Sequence, residues 1–143
     1  FAVMQDVNYQ LFTESVWQEI GTVTKQDNLK NEALRKVHLF NKKEMHPSSL
    51  SGGEKQRLLL AMSMVSQKPI IVFDEPTSGL CKMQMDILIG FLNQMVEQGK
   101  TIIIITHDFE FRAIGQKVCV TNPSTPDNCS NDVARSIQLH HPT

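Results

Sequence analysis

The sequence lacks several features that would narrow its class at once. Its three cysteines (Cys81, Cys119, Cys129) are widely spaced and form no C-x-x-C pair, so neither a disulfide framework nor a zinc site is indicated. The formal net charge of -1 gives no basic excess for nucleic acid and no acidic tail. The longest aliphatic run, residues 102–105, is too short to cross a bilayer, and no signal peptide is visible. The 143 residues are nevertheless enough for one modest domain with its own core.

The first half of the chain predicts three helices. The S-x-x-Q sequence at residues 15–18 has the form of a capping box and predicts a helix start there. Residues 29–40 form a second amphipathic segment, whose lysine and arginine side chains are expected to face solvent. A third helix is predicted to begin at a Ser51 cap and to end before Pro69, which cannot continue it. Residues 13–67 are therefore expected to form a helical lobe.

The second half predicts a parallel sheet. Residues 70–73 are a continuous apolar run, as expected of a strand that is buried on both faces. A helix follows, with apolar residues at helical spacing from Met85 to Val96 and with Gly99 in the usual position after a helix end. Residues 101–106 form the next predicted strand. The strand–helix–strand order is that of a βαβ unit and predicts an α/β fold.

A serine and two glycines open the third predicted helix, within the string LSGGEKQR at residues 50–57. The free N–H groups of a helix start, its positive dipole and the Ser51 hydroxyl suit an oxyanion, and Gly52 and Gly53 place no Cβ in its way. Ser-Gly-Gly alone is more often a simple helix cap. The whole string resembles the signature motif of ATP-binding-cassette (ABC) ATPases, which implies that Ser51, Gly52, Gly53 and Glu54 bind ATP across a dimer.

Two acids follow the first predicted strand of the sheet. Asp74 and Glu75 fall at its carboxyl end, where ligands bind in open α/β sheets. Asp74 can hold Mg²⁺, and Glu75 can orient and deprotonate an attacking water. A strand that simply ends in solvated acids is about as frequent. Downstream of the signature string, however, the pattern resembles a Walker B motif with its catalytic glutamate.

Two further residues match the ABC family by their place in the chain. His107 follows the second predicted strand and resembles the switch histidine, for which the family implies hydrogen bonds to the terminal phosphate and to Glu75. Gln5 lies in a segment that resembles the Q-loop, whose glutamine contacts Mg²⁺ and the attacking water and whose motion reaches the membrane subunit. Residues 5–12 and 15–19 look most like the energy-coupling-factor branch, which serves cobalt and vitamins.

The resemblance implies a P-loop NTPase-like parallel sheet with an inserted α-helical lobe. Residues 1–12 would form a strand end and the Q-loop, 13–67 the lobe with the signature motif, 68–114 the catalytic α/β part, and 115–143 a tail of uncertain structure. Two such domains dimerise head to tail in the family, with ATP between the phosphate loop of one and the signature helix of the other.

The implied function is ATP hydrolysis, with ATP and Mg²⁺, that energises membrane transport, with uptake of a vitamin or metal ion as the finer expectation. The expected partners are a transmembrane subunit and a second ABC ATPase subunit, identical or different, at the cytoplasmic face of the membrane. No nucleic-acid partner is expected.

Three departures from the family pattern stand out. The G-x-x-x-x-G-K-[ST] phosphate loop is absent from the 143 residues, and we expect it upstream of Phe1, so that this chain alone would be inactive. Cys81 occupies the last D-loop position, where the family usually has aspartate, and it supplies no carboxylate. After about Arg112 the sequence no longer resembles the closing strands of the fold.

Two alternatives stay open at this point. One is a soluble ABC ATPase in DNA repair or translation, although the chain shows neither the heptads of a long coiled-coil insertion nor a basic linker. The other is a non-hydrolysing module that only docks on a membrane partner. A pure adaptor has no need of Asp74, Glu75 and His107 together, which favours the transport ATPase.

Overall fold

A computed structural model describes residues 1–76, residue 80, residues 82–106 and, for the backbone, residues 118–121. The chain divides into two compact units. The helical unit comprises Phe1 and Val3–Lys68, and the sheet unit comprises Ala2 and Pro69–Thr143. None of the helices in the described ranges combines the length and the apolar character that a bilayer crossing requires.

Three α-helices and three short 3-10 helices build the helical unit. The α-helices are α1 (Val16–Ile20), α2 (Asp27–Lys36) and α3 (Gly52–Val65), and the 3-10 helices are Val7–Tyr9, Phe40–Lys42 and Pro47–Ser49. Both α1 and α2 pack against α3. Fully buried side chains on these helices include Val16, Ile20, Leu34, Leu58 and Leu59. Their burial is the main driving force that holds the three helices together.

The start of α1 is confirmed at the predicted serine, with one change. The Ser15 hydroxyl accepts a hydrogen bond from the Gln18 amide at 3.2 Å. The Gln18 side chain, however, accepts from the N–H of Glu14 at 3.3 Å, one residue before the position that a capping box predicts. The N–H groups of Val16 and Trp17 donate to carbonyl groups of Met45 and Lys43, so tertiary contacts complete this cap.

The second helix is shorter than its amphipathic pattern predicts. It ends at Lys36, and His38 adopts a left-handed backbone with φ of 59° that breaks the helical path. Leu39 therefore enters the core, while Phe40, the last residue of the amphipathic segment 29–40, is only half-buried. The carbonyl of Val37 beyond the helix accepts a hydrogen bond from Arg57 Nε at 3.2 Å.

The prediction that the basic residues of α2 face solvent is wrong for Lys30. The residue is only 8% exposed. Its ammonium lies 4.4 Å from the centre of the Trp17 ring and 2.7 Å from Asp27 Oδ1. The long aliphatic stem is covered by protein while the charge is satisfied by a ring and a carboxylate, which periodicity alone does not reveal.

The sheet unit confirms the predicted βαβ arrangement. The sheet contains β1 (Ala2–Val3), β2 (Ile70–Asp74), β3 (Thr101–Ile105) and β4 (Val118–Thr121) in the order β1-β2-β3-β4. Strand β3 runs parallel to both β2 and β4. Helix α4 (Lys82–Glu97) connects β2 to β3 and ends before Gly99, whose φ of 87° is the left-handed value expected after a helix end.

Burial along the two central strands alternates, which corrects the expectation of two buried faces. Ile71 and Phe73 in β2 are buried on one face, and so are Ile102 and Ile104 in β3. Ile70, at the start of β2, is 50% exposed. Among the described residues, the second face of these strands is thus only partly covered.

Candidate functional site

The start of α3 places the signature residues at an open helix end. Ser51 is the N-cap: its hydroxyl accepts from the Glu54 N–H at 3.4 Å, while the Ser51 N–H donates to Glu54 Oε2 at 3.0 Å. This is a complete capping box. Among the described residues, a Cβ on Gly52 would meet no atom within 4 Å, and one on Gly53 only Arg57 Nη1 at 3.9 Å. Packing against the described part of the chain therefore does not explain either glycine, whereas close approach of a ligand would.

Glu54, in the first turn of α3, carries a negative charge whose position is fixed by its hydrogen bonds. Its Oε1 lies 2.6 Å from Lys42 Nζ and 4.0 Å from an Arg57 guanidinium nitrogen. The hydrogen bond from Lys42, followed by the one from the Ser51 backbone, lowers the pKa of Glu54 from 4.5 to about 2. Glu54 is consequently ionised throughout the physiological range.

The loop that follows Gln5 is tied to the same helix. Gln5 itself is exposed and comes two residues after β1. Asp6 Oδ1 accepts hydrogen bonds from the backbone and side-chain nitrogens of Asn8, each at 3.0 Å. Asn8 Oδ1 in turn accepts from Lys55 Nζ at 2.7 Å. Within the helical unit, the predicted Q-loop and the predicted signature helix are thus joined by a direct side-chain bond.

The carboxyl end of β2 holds the two predicted acids. Asp74 is the last residue of the strand, is half-buried and pairs with Ile105 of β3. Glu75 has a left-handed backbone with φ of 49°, and its N–H donates to the Ile105 carbonyl at 2.8 Å. A non-glycine residue in this conformation costs about 1–3 kcal/mol, and such residues cluster at functional sites. The neighbouring strand therefore sets the direction in which Glu75 leaves the sheet.

Thr106 is a member of this arrangement that the sequence analysis missed. Its side chain is buried, and its hydroxyl donates to Glu75 Oε2 at 3.1 Å. The bond fixes one carboxylate oxygen of Glu75. A usable sequence signal existed: Thr106 directly follows a run of four isoleucines, and a polar residue at that point lies at the same sheet edge as the end of β2.

The structure brings the predicted site residues together in two groups. Residues 51–54 and the Gln5 loop belong to the helical unit, and Asp74 and Glu75 belong to the sheet unit. His107, residues 78, 79 and 81 of the predicted D-loop, and the predicted tail 115–143, apart from the backbone of β4, lie outside the described residues.

Asp74 fits a magnesium–nucleotide better than a protein-built metal cage. The described ranges contain no group of three or more His, Cys, Asp or Glu side chains that could hold a metal ion. Mg²⁺ normally keeps several waters and binds one or two carboxylates together with substrate phosphates. A carboxylate at a strand tip, such as that of Asp74, is of the kind that such an ion binds.

Comparison with solved structures and with family models assigns the fold and the family of this chain. A structure titled as the dimeric, post-hydrolysis state of the ATP-binding cassette MJ0796 bound to ADP and Pi superposes with a TM-score of 0.66, covering 83% of this chain and 56% of that one at 23% identity. The chain thus has the α/β fold of ATP-binding cassettes. The family model described as ABC transporter matches residues 2–78. This chain belongs to the ABC transporter family.

Curated relatives agree with this assignment. A Treponema denticola protein described as an ABC transporter ATP-binding protein is 46% identical over 113 residues, which are 78% of this chain and 23% of that protein. The arginine transport ATP-binding protein ArtM of Bacillus subtilis is 40% identical over 80 residues, 56% of this chain and 33% of that protein. The chain spans between about a quarter and a third of the length of these relatives.

Proposed function

We propose that this chain supplies the signature helix and the strand-tip acids of an ATPase that energises membrane transport. The observation that carries the proposal is the start of α3, where a serine cap precedes two glycines whose added Cβ atoms would come no closer than 3.9 Å to the described residues, so that the Gly52 and Gly53 N–H groups lie at a helix N-terminus that an anion can approach. ABC ATPases generally hydrolyse ATP, and the cassette with the similar fold was solved with ADP and Pi.

The proposed reaction is attack of water on the terminal phosphorus of ATP. Glu75 accepts a proton from that water as the new P–O bond forms and the bond to the bridging oxygen of ADP breaks. Thr106 holds Glu75 in the orientation for this task. The N–H groups at Gly52 and Gly53 and the Ser51 hydroxyl stabilise the charge on the phosphate oxygens.

The remaining site residues complete the same proposal. Asp74 and Gln5 would hold Mg²⁺, which, when bound, screens the charge of the phosphates. His107 would contact the terminal phosphate and Glu75. Because the 143 residues contain no phosphate loop, we expect this chain alone to be inactive.

The proposed setting is a transporter. A second ABC ATPase subunit, identical or different, would face the signature helix with its own phosphate loop, and a transmembrane subunit would anchor both at the cytoplasmic face of the membrane. The finer proposal, uptake of a vitamin or metal ion by an energy-coupling-factor type transporter, is supported only by the resemblance of residues 5–12 and 15–19. Identification of the membrane subunit that copurifies with this protein tests it.

A negative charge introduced by substitution at the start of α3 tests the proposal. We consider the assembled ATPase, defined as the complex purified from its source cells through an affinity tag on this protein. Gly52→Asp adds a carboxylate where the phosphate is expected, and its Cβ would meet no atom of the described residues within 4 Å, so we predict a fall in ATP turnover of about tenfold or more.

Gly90→Asp is the matched control, because a Cβ on Gly90 of α4 would also meet no atom within 4 Å in the part of the chain that the structure describes. Its turnover should remain near that of the wild type. Equal turnover of the two variants would remove the start of α3 from the nucleotide site.

A further inference from the structure

Lys42 and Glu54 form a short ion pair beside the signature helix. Lys42 ends the 3-10 helix Phe40–Lys42, and its Nζ lies 2.6 Å from Glu54 Oε1. The other carboxylate oxygen is held by the Ser51 N–H at 3.0 Å. The Glu54 side chain is 16% exposed, so the carboxylate is largely shielded from solvent, whereas the Lys42 side chain is 39% exposed. Both oxygens of Glu54 are therefore held in place.

The charge of Glu54 conflicts with the anion that the helix is proposed to bind. A carboxylate in the first turn favours the helix itself but repels a phosphate that approaches the same end. Protonation of Glu54 does not remove this repulsion near neutral pH, since its pKa is lowered to about 2. Compensation must therefore come from a cation. Arg57 lies farther away, at 4.0 Å, and its Nε already donates to Val37.

We propose that Lys42 is a positioning residue that compensates the charge of Glu54 and so keeps the start of α3 attractive to the phosphates of a nucleotide. The inference rests on the proposed function. It adds a residue twelve positions upstream of Glu54 and outside the signature string, which acts through Glu54 and not by contact with the nucleotide.

Lys43 offers a matched control for the removal of one positive charge. Its side chain is 37% exposed, against 39% for Lys42. Its Nζ lies 3.9 Å from Glu44 and 5.4 Å from the centre of the Trp17 ring. A substitution there changes the net charge of the helical unit by the same amount and leaves the contacts of Glu54 with Lys42, Ser51 and Arg57 intact.

The test compares Lys42→Met, Lys43→Met and the double variant Lys42→Met/Glu54→Gln in the assembled ATPase. We expect Lys42→Met to raise the KM for MgATP about three- to tenfold relative to Lys43→Met. The double variant should recover much of that loss, because the uncompensated carboxylate is gone. Lys42→Arg should keep a low KM.

A purely structural role for Lys42 predicts the opposite pattern. If Lys42 only tethers its 3-10 helix, the double variant lacks the tether as well and will be as defective as Lys42→Met. That result overturns the inference, as does an equal KM for Lys42→Met and Lys43→Met. Failure of the wild-type assembly to bind MgATP overturns the proposed function itself, and the inference with it.

A second measurement uses the 143-residue chain and no nucleotide. Carbon-13 NMR of the Glu54 carboxyl group should report a pKa near 2 in the wild type and a clear rise toward 4.5 in Lys42→Met. No such rise in Lys42→Met would show that Lys42 is not the compensating cation.

Discussion

Two glutamates of the candidate site have different surroundings. Glu54 is held on both oxygens, by Lys42 and by the Ser51 N–H, and its charge is permanent at neutral pH. Glu75 has one oxygen bound by Thr106 and a backbone in the left-handed region. The first arrangement fixes a helix end, and the second directs a carboxylate away from a strand tip.

Acid should reveal the stabilising role of Glu54. Because its pKa is lowered in the folded protein, its carboxylate stabilises the fold above the ordinary pKa of 4.5, and this contribution is lost as the pH falls toward about 2. Glu54→Gln should therefore unfold at lower urea concentration than the wild type at pH 7, with a smaller difference at pH 3. Urea midpoints at several pH values measure this.

Glu44→Gln serves as the control for acid sensitivity. The Glu44 side chain is 78% exposed and its nearest cation, Lys43, is 3.9 Å away. Its midpoint should follow the wild type at every pH, since exposed pairs contribute little. A wild-type-like pH profile for Glu54→Gln as well would contradict the account.

Some residue-level features were readable in the sequence and others were not. The signature string and the acids at 74 and 75 are contiguous, so their place on a helix start and a strand end follows from local patterns. Lys42 and Thr106 act across the fold. Their partners are 12 and 31 residues away, and no local periodicity links such positions.

At the scale of elements, one buried carboxylate joins the predicted Q-loop segment to α1. Glu19 is 3% exposed, and its Oε2 accepts hydrogen bonds from the Phe12 and Thr13 N–H groups at 2.9 and 2.8 Å. The Thr13 hydroxyl adds a third bond, at 2.8 Å. These bonds fix the path of the chain between the loop and the helix.

Loss of this carboxylate should destabilise the helical unit. Glu19→Ala leaves two N–H groups of the segment without their acceptor, and we predict a loss of about 3 kcal/mol in the free energy of unfolding. Glu14→Ala, at an exposed position, should cost much less. Urea unfolding followed by fluorescence of Trp17, the single tryptophan, reports on α1 directly. Equal losses in the two variants would contradict the proposed anchor.

Element boundaries show where pattern reading fails. The start of α3 at Ser51 and the order β2–α4–β3 were predicted correctly, because caps and apolar runs are local. The end of α2 was not, since a left-handed His38 carries no residue-type signal comparable to glycine. The partial exposure of Ile70 depends on what covers the sheet, which the strand's own sequence does not encode.

At the scale of the whole molecule, each of the two compact units carries part of the proposed nucleotide-binding machinery. Helix α3 supplies backbone donors and β2 supplies acids, but the sequence has no phosphate loop. Most of the phosphate grip in P-loop proteins comes from that loop. We therefore predict that isothermal titration of the 143-residue chain with MgATP gives no saturation in the micromolar range. Micromolar affinity would show that these residues suffice for binding.

Replacement of the proposed base tests the central claim most directly. Glu75→Gln in the assembled ATPase keeps the shape of the side chain and removes its ability to take a proton from water. We predict that ATP turnover falls about 100-fold or more while ATP stays bound and the ATP-bound dimer accumulates in gel filtration. Glu97→Gln, at the exposed end of α4, should turn over ATP like the wild type. Undiminished turnover in Glu75→Gln would contradict the account.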